Sequence, residues 1–323
     1  MEDLISKYQK YIERAVSDYV FPQEPQTLYD PLRYFMQIGG KRMRPILALM
    51  ACEMFSADFK KAKNAAIAVE LFHNFSLIHD DIMDAAPLRR GKTTVHEKWN
   101  TNVAILSGDA LLIEAYKAIA NHDSKVVGEI LPLFNKTATE VCEGQQLDMD
   151  FEEKSIVSVA DYINMIAFKT AVLLGCSLKM GAIVGGANNN DAQDLYDFGL
   201  NLGIAFQIQD DILDVYADQD KFGKQVGGDI ISNKKTYLLL TALNESNPEQ
   251  YTRLEQLLLE KDLKIKVAGV KAIYEELNIR EKANRKMEEY HEKAMQNLSR
   301  IAVTAEHKRP LKSLAGFLLG RDH

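Results

Sequence analysis

Apolar residues recur at three- and four-residue spacing along almost the whole chain, and period-two alternation is nearly absent. That regularity leaves helices as the main option for its 323 residues. The eight prolines are Pro22, Pro25, Pro31, Pro45, Pro87, Pro132, Pro248 and Pro310. They fall near the edges of periodic segments, except Pro132, where a kink or a helix start is expected. The spacing predicts helices over Leu4–Tyr19, Pro31–Gln37, Pro45–Phe55, Ala62–Asp84, Val103–Ala120, Val126–Asp150 and Ala160–Gly185. Further helices are expected over Ala192–Val215, Lys235–Asn244, Pro248–Glu260, Leu263–Leu277, Arg280–Ala305 and Pro310–Leu319. Ala192–Val215 is apolar all round and belongs at the centre of a bundle, whereas Arg280–Ala305 has a charged face and belongs at its edge. No linker, low-complexity segment or short repeat breaks the pattern. One all-α helical bundle domain over residues 1–323 is the expectation.

The formal net charge of −7 excludes a generally basic surface, so a nucleic-acid partner is not expected. Cys52, Cys142 and Cys176 form no CxxC pair and are expected as thiols buried in the core of a protein from a reducing compartment. The first residues, Met1-Glu2-Asp3-Leu4, are acidic where a secretory signal would be basic. The most membrane-like stretch, Ile163 to Ala187, is interrupted by Lys169 and Lys179 and is expected as a buried core helix, without stable membrane insertion. A cytoplasmic protein follows from these readings.

Two motifs carry the chemistry. The first is His79-Asp80-Asp81-Ile82-Met83-Asp84 and the second is Gln209-Asp210-Asp211-Ile212-Leu213-Asp214. Each closes an apolar helical segment. Asp80 and Asp84, like Asp210 and Asp214, stand at i and i+4, about 6 Å apart on one helix face. Carboxylates packed in this way repel each other and resist desolvation, so a cation must compensate. Oxygen ligands with no cysteine nearby suit Mg²⁺, whose coordination is usually completed by substrate phosphates.

Cations cluster around both motifs. Gly39-Gly40-Lys41-Arg42-Met43-Arg44-Pro45 precedes a helix, and Lys41 and Arg44 are placed to approach one anion at its N-terminus. Arg89-Arg90-Gly91-Lys92 follows the first motif, and its adjacent arginines point in different directions. A P-loop is excluded there, because position 86 is Ala86 and a helix precedes the segment. Lys169-Thr170 lies inside an apolar helix, where a lysine is costly unless paired or functional. Gly144-Gln145-Gln146-Leu147-Asp148, Phe222-Gly223-Lys224 and Asn233-Lys234-Lys235-Thr236 complete the set.

The order GGKRMRP, FHNFSLIHDDIMD, RRGK, GQQLD, KTA, FQIQDDILD, FGK, GGD and NKKT resembles that of the trans-isoprenyl diphosphate synthases, or polyprenyl synthetases, over residues 30 to 240. The resemblance implies a single all-α bundle, usually a homodimer, that joins isopentenyl diphosphate to an allylic prenyl diphosphate. It implies three Mg²⁺ ions per active site, two on Asp80 and Asp84 and a third on Asp210, with Asp81, Asp211 and Asp214 completing the two motifs. It gives Arg89, Lys169, Thr170, Gln207, Lys224 and Lys234 to the allylic diphosphate, and Lys41, Arg44, His73 and Arg90 to isopentenyl diphosphate. It makes Phe75 the floor of the pocket for the growing tail, with Ser76 beside it and Phe72 one turn deeper. A C20 product is expected, with C15 next. Three rival readings are a class I terpene cyclase, which has no need of a second diphosphate site, a carboxylate-bridged metal bundle built on the ExxH pairs Glu70/His73 and Glu288/His291, and a non-catalytic partner subunit of a heteromeric synthase, against which the complete metal motifs argue.

Overall fold

A computed structural model describes residues 2–217 and 227–320. Lys224 therefore lies outside the described residues. The chain folds as two compact units, one of residues 1–135, 176–196 and 301–310, the other of residues 136–175, 197–300 and 311–323.

The elements are, in chain order, α1 (Glu2–Ser17), α2 (Gln26–Gln37), α3 (Met43–Phe55), a 3₁₀ turn (Phe59–Ala62), α4 (Lys63–Met83), β1 (Leu88–Arg89), β2 (Lys92–Thr93), α5 (Val95–Lys98), α6 (Thr101–Ala120) and α7 (Ser124–Glu153). There follow α8 (Val159–Ile166), a π-helical turn (Ala167–Ala171), α9 (Val172–Gly185), α10 (Asn189–Tyr216), α11 (Gly228–Ile231), α12 (Tyr237–Glu245), α13 (Pro248–Leu258), α14 (Leu263–Glu276), α15 (Ile279–Arg300) and α16 (Ala305–Leu319). The all-α class is as expected from the periodicity.

In the first unit α4 packs along α6 and against α3, and α1 and α2 close over these helices. Ile46 to Leu49 and Ala65 to Val69 are buried on every side, so α3 and α4 are core helices. In the second unit Ile204, Ile208 and Ile212 of α10 meet Tyr162 and Ile166 of α8, Leu238 to Leu240 of α12 and Tyr274 of α14. Ser158 caps α8 in a reciprocal capping box with Asp161. The helix Val159–Gly185 has the length and hydropathy of a membrane span, but 67% of its most apolar window is buried inside the protein.

The structure departs from the sequence reading in several places. Pro31 and Pro310 lie inside α2 and α16 and do not start them. Each forfeits one hydrogen bond near a helix end, offset by burial of Leu32 and Phe35 in α2 and of Leu311 and Leu314 in α16. Pro132 likewise neither starts nor ends α7, which begins at Ser124. The helix expected through Ala305 stops at Arg300, where the N–H of Ala302 is taken by Asp191 Oδ1 at 2.7 Å. Cys142 is exposed, unlike Cys52 and Cys176, because it lies on the outer side of α7. Residues 88–93 form a two-stranded hairpin that no alternation announces, its strands being only two residues each.

Candidate active site

In the first unit, the first aspartate motif is the last turn of α4. Asp80 is half-buried, Asp84 is exposed and Asp81 is fully buried, at 0% exposure. The phase of the helix makes this division, since Asp81 is a third of a turn from the line joining the other two. Asp81 Oδ1 accepts from Arg89 Nε at 2.8 Å and from Nη2 at 2.6 Å, while its buried Oδ2 has no hydrogen-bond partner.

Arg89 reaches Asp81 because of the hairpin. Its two central residues, Arg90 and Gly91, have φ of 52° and 73°, the left-handed pair a two-residue turn requires. The tight turn sends the two arginines apart. Arg90 lies against Gly40, where an added Cβ would stand 2.3 Å from Arg90 Nη1. Gly40 is itself at φ 144°, so the close approach and the backbone both call for glycine.

The Gly39–Arg44 loop is anchored by a residue to which the sequence reading gave no role. Arg42, 8% exposed, forms an ion pair with the buried Glu70 and donates to the carbonyl of Met36 at 2.6 Å. Asn74 Nδ2 donates to Glu70 Oε1 at 2.8 Å and to its backbone carbonyl at 2.7 Å. A lone glutamate in the apolar run of α4 was the available signal, since a buried carboxylate needs a partner. The same network removes the ExxH reading: Glu70 is engaged by Arg42 and Asn74, and Glu288 is exposed on α15.

Lys41 is exposed and Arg44 is partly buried. Arg44 Nη1 lies 3.1 Å from His73 Nε2. Burial pushes the His73 imidazole well below its usual range, and Arg44, Arg90, Arg89 and Arg42 push it the same way. His73 is therefore neutral and accepts the Arg44 N–H. Burial lowers Arg44 to about 10, opposed by Glu70 and reinforced by Arg90, and its buried Nε–H has no acceptor. Like charges drawn together with an unsatisfied buried donor have the chemistry that an anion would satisfy.

Along α4 behind the motif, the Phe75 ring lies 4.8 Å from His79 and 5.5 Å from Phe72, centroid to centroid. Phe72 is buried and continues to Phe134 at 5.2 Å. Ser76 bonds its own helix, donating to the His73 carbonyl at 2.9 Å.

In the second unit, Asp210 is exposed near the end of α10, Asp214 is half-buried and Asp211 is buried. Asp211 Oδ2 accepts from Tyr162 Oη at 2.5 Å and from the N–H of Tyr237 at 3.2 Å. Burial raises the Asp211 carboxyl to about 7, with Asp229 adding to the rise and the bonds from Tyr162 and Tyr237 opposing it. Asp214 Oδ2 accepts from the N–H of Asp229 at 2.9 Å, and its carbonyl accepts from Gly227 N at 2.6 Å. Asp211 and Asp214 thus hold the protein together, and Asp210 is the member of the motif turned to solvent.

Lys169 and Thr170 lie on the π-helical turn. Such a turn inserts one residue into the helix and re-aims its side chains. Two glycines permit it. A Cβ on Gly144 of α7 would stand 2.2 Å from Lys169 N, and one on Gly203 of α10 would stand 2.7 Å from Ala171 Cα. Lys169 Nζ donates to Asp148 Oδ2 at 2.5 Å, which gives the last residue of the GQQLD segment a partner. Thr170 Oγ1 lies 3.5 Å from Gln207 Oε1. Lys234 is exposed, while its neighbour Lys235 donates to the carbonyls of Phe151 and Lys154 at the end of α7.

The donor chemistry of Asp80, Asp84 and Asp210 fits Mg²⁺: oxygen ligands only, accessible, on rigid helix ends. Among the described residues no three His, Cys, Asp or Glu side chains form a closed cage. An ion that keeps waters and is completed by phosphate oxygens needs none.

Comparisons with known proteins agree with this arrangement. The polyprenyl synthetase family model matches residues 25–277. The chain is 37% identical to a short chain isoprenyl diphosphate synthase of Methanothermobacter thermautotrophicus, covering 99% of this chain and 98% of the relative. It is 36% identical to a geranylgeranyl pyrophosphate synthase of Geoglobus acetivorans, with both chains covered in full. A crystal structure of a geranylgeranyl pyrophosphate synthase superposes with a TM-score of 0.91 at 44% identity, covering 99% of this chain and 98% of the other. With an all-α fold, the full order of motifs and relatives matched from end to end, the chain is a member of the polyprenyl synthetase family of prenyltransferases.

Proposed function

We propose that the chain condenses isopentenyl diphosphate with an allylic prenyl diphosphate to give a short trans-prenyl diphosphate of C20, with C15 next, and pyrophosphate. The observation that carries this reading is the cluster of Arg44, Arg90 and neutral His73, which stands beside the first aspartate motif, where Arg89 pairs with Asp81. A terpene cyclase has one diphosphate to hold and no use for a second receptor.

In this reading Asp80 and Asp84 hold two Mg²⁺ ions and Asp210 a third, Lys41, Arg44, His73 and Arg90 hold isopentenyl diphosphate, and Arg89, Lys169, Thr170, Gln207 and Lys234 are assigned to the allylic diphosphate. Lys224 belongs with these by sequence. Bound Mg²⁺ would lower the charge on the departing diphosphate. The cations around it stabilise the charge that develops as the allylic C–O bond breaks. The isopentenyl double bond then attacks the allylic carbocation, and a proton leaves to the released pyrophosphate. No protein nucleophile takes part. Neutral His73 accepts from Arg44 and keeps the guanidinium aimed without adding a competing positive charge.

Phe75 is the floor of the tail pocket in this reading, supported by its partial burial and its aromatic neighbours. We place the homodimer contact on α6, where Ile105, Leu106 and Ile113 expose 41%, 60% and 56% of their surface. We place the protein in the cytoplasm. Incubation with Mg²⁺, isopentenyl diphosphate and C5, C10 and C15 allylic diphosphates tests the reading. Chain elongation to C20 is expected, and inactivity with every primer overturns it.

A further inference from the structure

Phe75 does not hold its position alone. On one side its ring meets Phe72, and on the other it meets the edge of His79 at 4.8 Å and an interplanar angle of 67°. His79 is i+4 to Phe75, and helical side chains lean toward the N-terminus, so the imidazole lies over the turn that carries the phenyl ring. His79 is in turn fixed from α6. Its Nε2 lies 3.1 Å from the Ile105 carbonyl, so that nitrogen carries the proton and donates. Asp109 Oδ1 lies 3.7 Å from the same atom. The ring occupies a notch left by Gly108, where an added Cβ would stand 2.3 Å from Nε2 and 2.5 Å from Cδ2. Gly108 is in mid-helix and not at positive φ, so the close approach is what calls for glycine there.

From this we infer that His79, seated by Gly108 and the Ile105 carbonyl, is a positioning residue that sets product length by bracing Phe75. The inference rests on the reading of Phe75 as the pocket floor. The phenyl ring has two aromatic neighbours, and Phe72 is locked by Phe134, which Tyr116 backs at 5.2 Å. The His79 side is held by polar contacts to Ile105 and Asp109 and by the Gly108 notch, with no further ring behind it in the contacts above, so that is the side on which a single change frees the ring. His79 makes no use of its imidazole as an acid, a base or a ligand in this role.

The test is product analysis with isopentenyl diphosphate and a C15 primer on the full chain. His79→Ala is expected to raise the share of products longer than the wild-type main product by about threefold or more, the effect of losing one aromatic contact. Gly108→Ala drives His79 out of its notch and is expected to change the product distribution with His79 intact. In the Phe75→Ala background, His79→Ala is expected to add nothing, because the brace has nothing left to hold. If Phe75→Ala lengthens the product and His79→Ala does not, the brace is overturned while the floor stands. If Phe75→Ala itself leaves the product unchanged, the floor reading fails and the brace falls with it. Should His79→Ala lose turnover altogether, Gly108→Ala decides: an unchanged distribution overturns the inference.

Discussion

Arg89 holds the buried Asp81 by two nitrogens on one oxygen, Nε at 2.8 Å and Nη2 at 2.6 Å from Oδ1. The pair fixes the end of α4 to the hairpin, and so relates the first aspartate motif to the arginines that follow it. Removing Arg89 leaves a fully buried carboxylate without its counter-charge. Arg89→Ala is expected to cost about 3 kcal/mol of stability, read by denaturant unfolding, besides its effect on turnover. Arg89→Lys should rescue little, because an ammonium lacks the fork that meets Asp81.

Asp80 is half-buried and Asp84 exposed, unlike the fully buried Asp81. Asp80→Ala and Asp84→Ala are each expected to lower turnover by about 100-fold or more, with the unfolding midpoint nearly unchanged. Chelation of divalent ions should abolish turnover, and added Mg²⁺ should restore it. Turnover surviving chelation would remove the metal assignment.

Neutral His73 makes a prediction about pH. Its pKa in the folded chain is well below the ordinary 6.5, so the unfolded chain binds the extra proton first as pH falls. The contribution is fully present above pH 6.5 and is lost as the pH drops below it, by about 1.4 kcal/mol per unit at most. His73→Gln keeps an acceptor for Arg44 and does not titrate. The variant should lose less stability than wild type between pH 7 and pH 5; identical curves would contradict a buried neutral imidazole at this position.

Gly144 bears on Lys169 through the backbone alone. A Cβ there would stand 2.2 Å from Lys169 N, a contact that must move the π-helical turn. Gly144→Ala should raise the KM for the allylic substrate about tenfold and leave that for isopentenyl diphosphate within about twofold. Steady-state kinetics with each substrate varied in turn would separate the two. An equal rise in both would speak for a general loss of fold.

Much of this molecule could be read from its residues. Apolar spacing gave the all-α class, and two aspartate motifs at helix ends, with cations near each in sequence, led to the expectation of an anionic ligand and a divalent metal. Those features are legible because they are local: helical periodicity and i, i+4 spacing are properties of a single segment. The division of labour within each motif was not legible. Asp81 and Asp211 are buried by packing against elements outside their own helices, Arg89 for one and Tyr162 for the other. Nor was the inward turn of Arg42 onto Glu70, although a charge in the apolar run of α4 asked for a partner. The π-helical turn under Lys169 depends on two glycines of other helices, and the hairpin at Arg90 on a left-handed turn too short to leave an alternation. The amino-acid order determined which groups this protein possesses and roughly where along the helices they fall. Tertiary contact decided which carboxylates face solvent and which are held inside, because burial and pairing are set by neighbours that the local pattern does not contain.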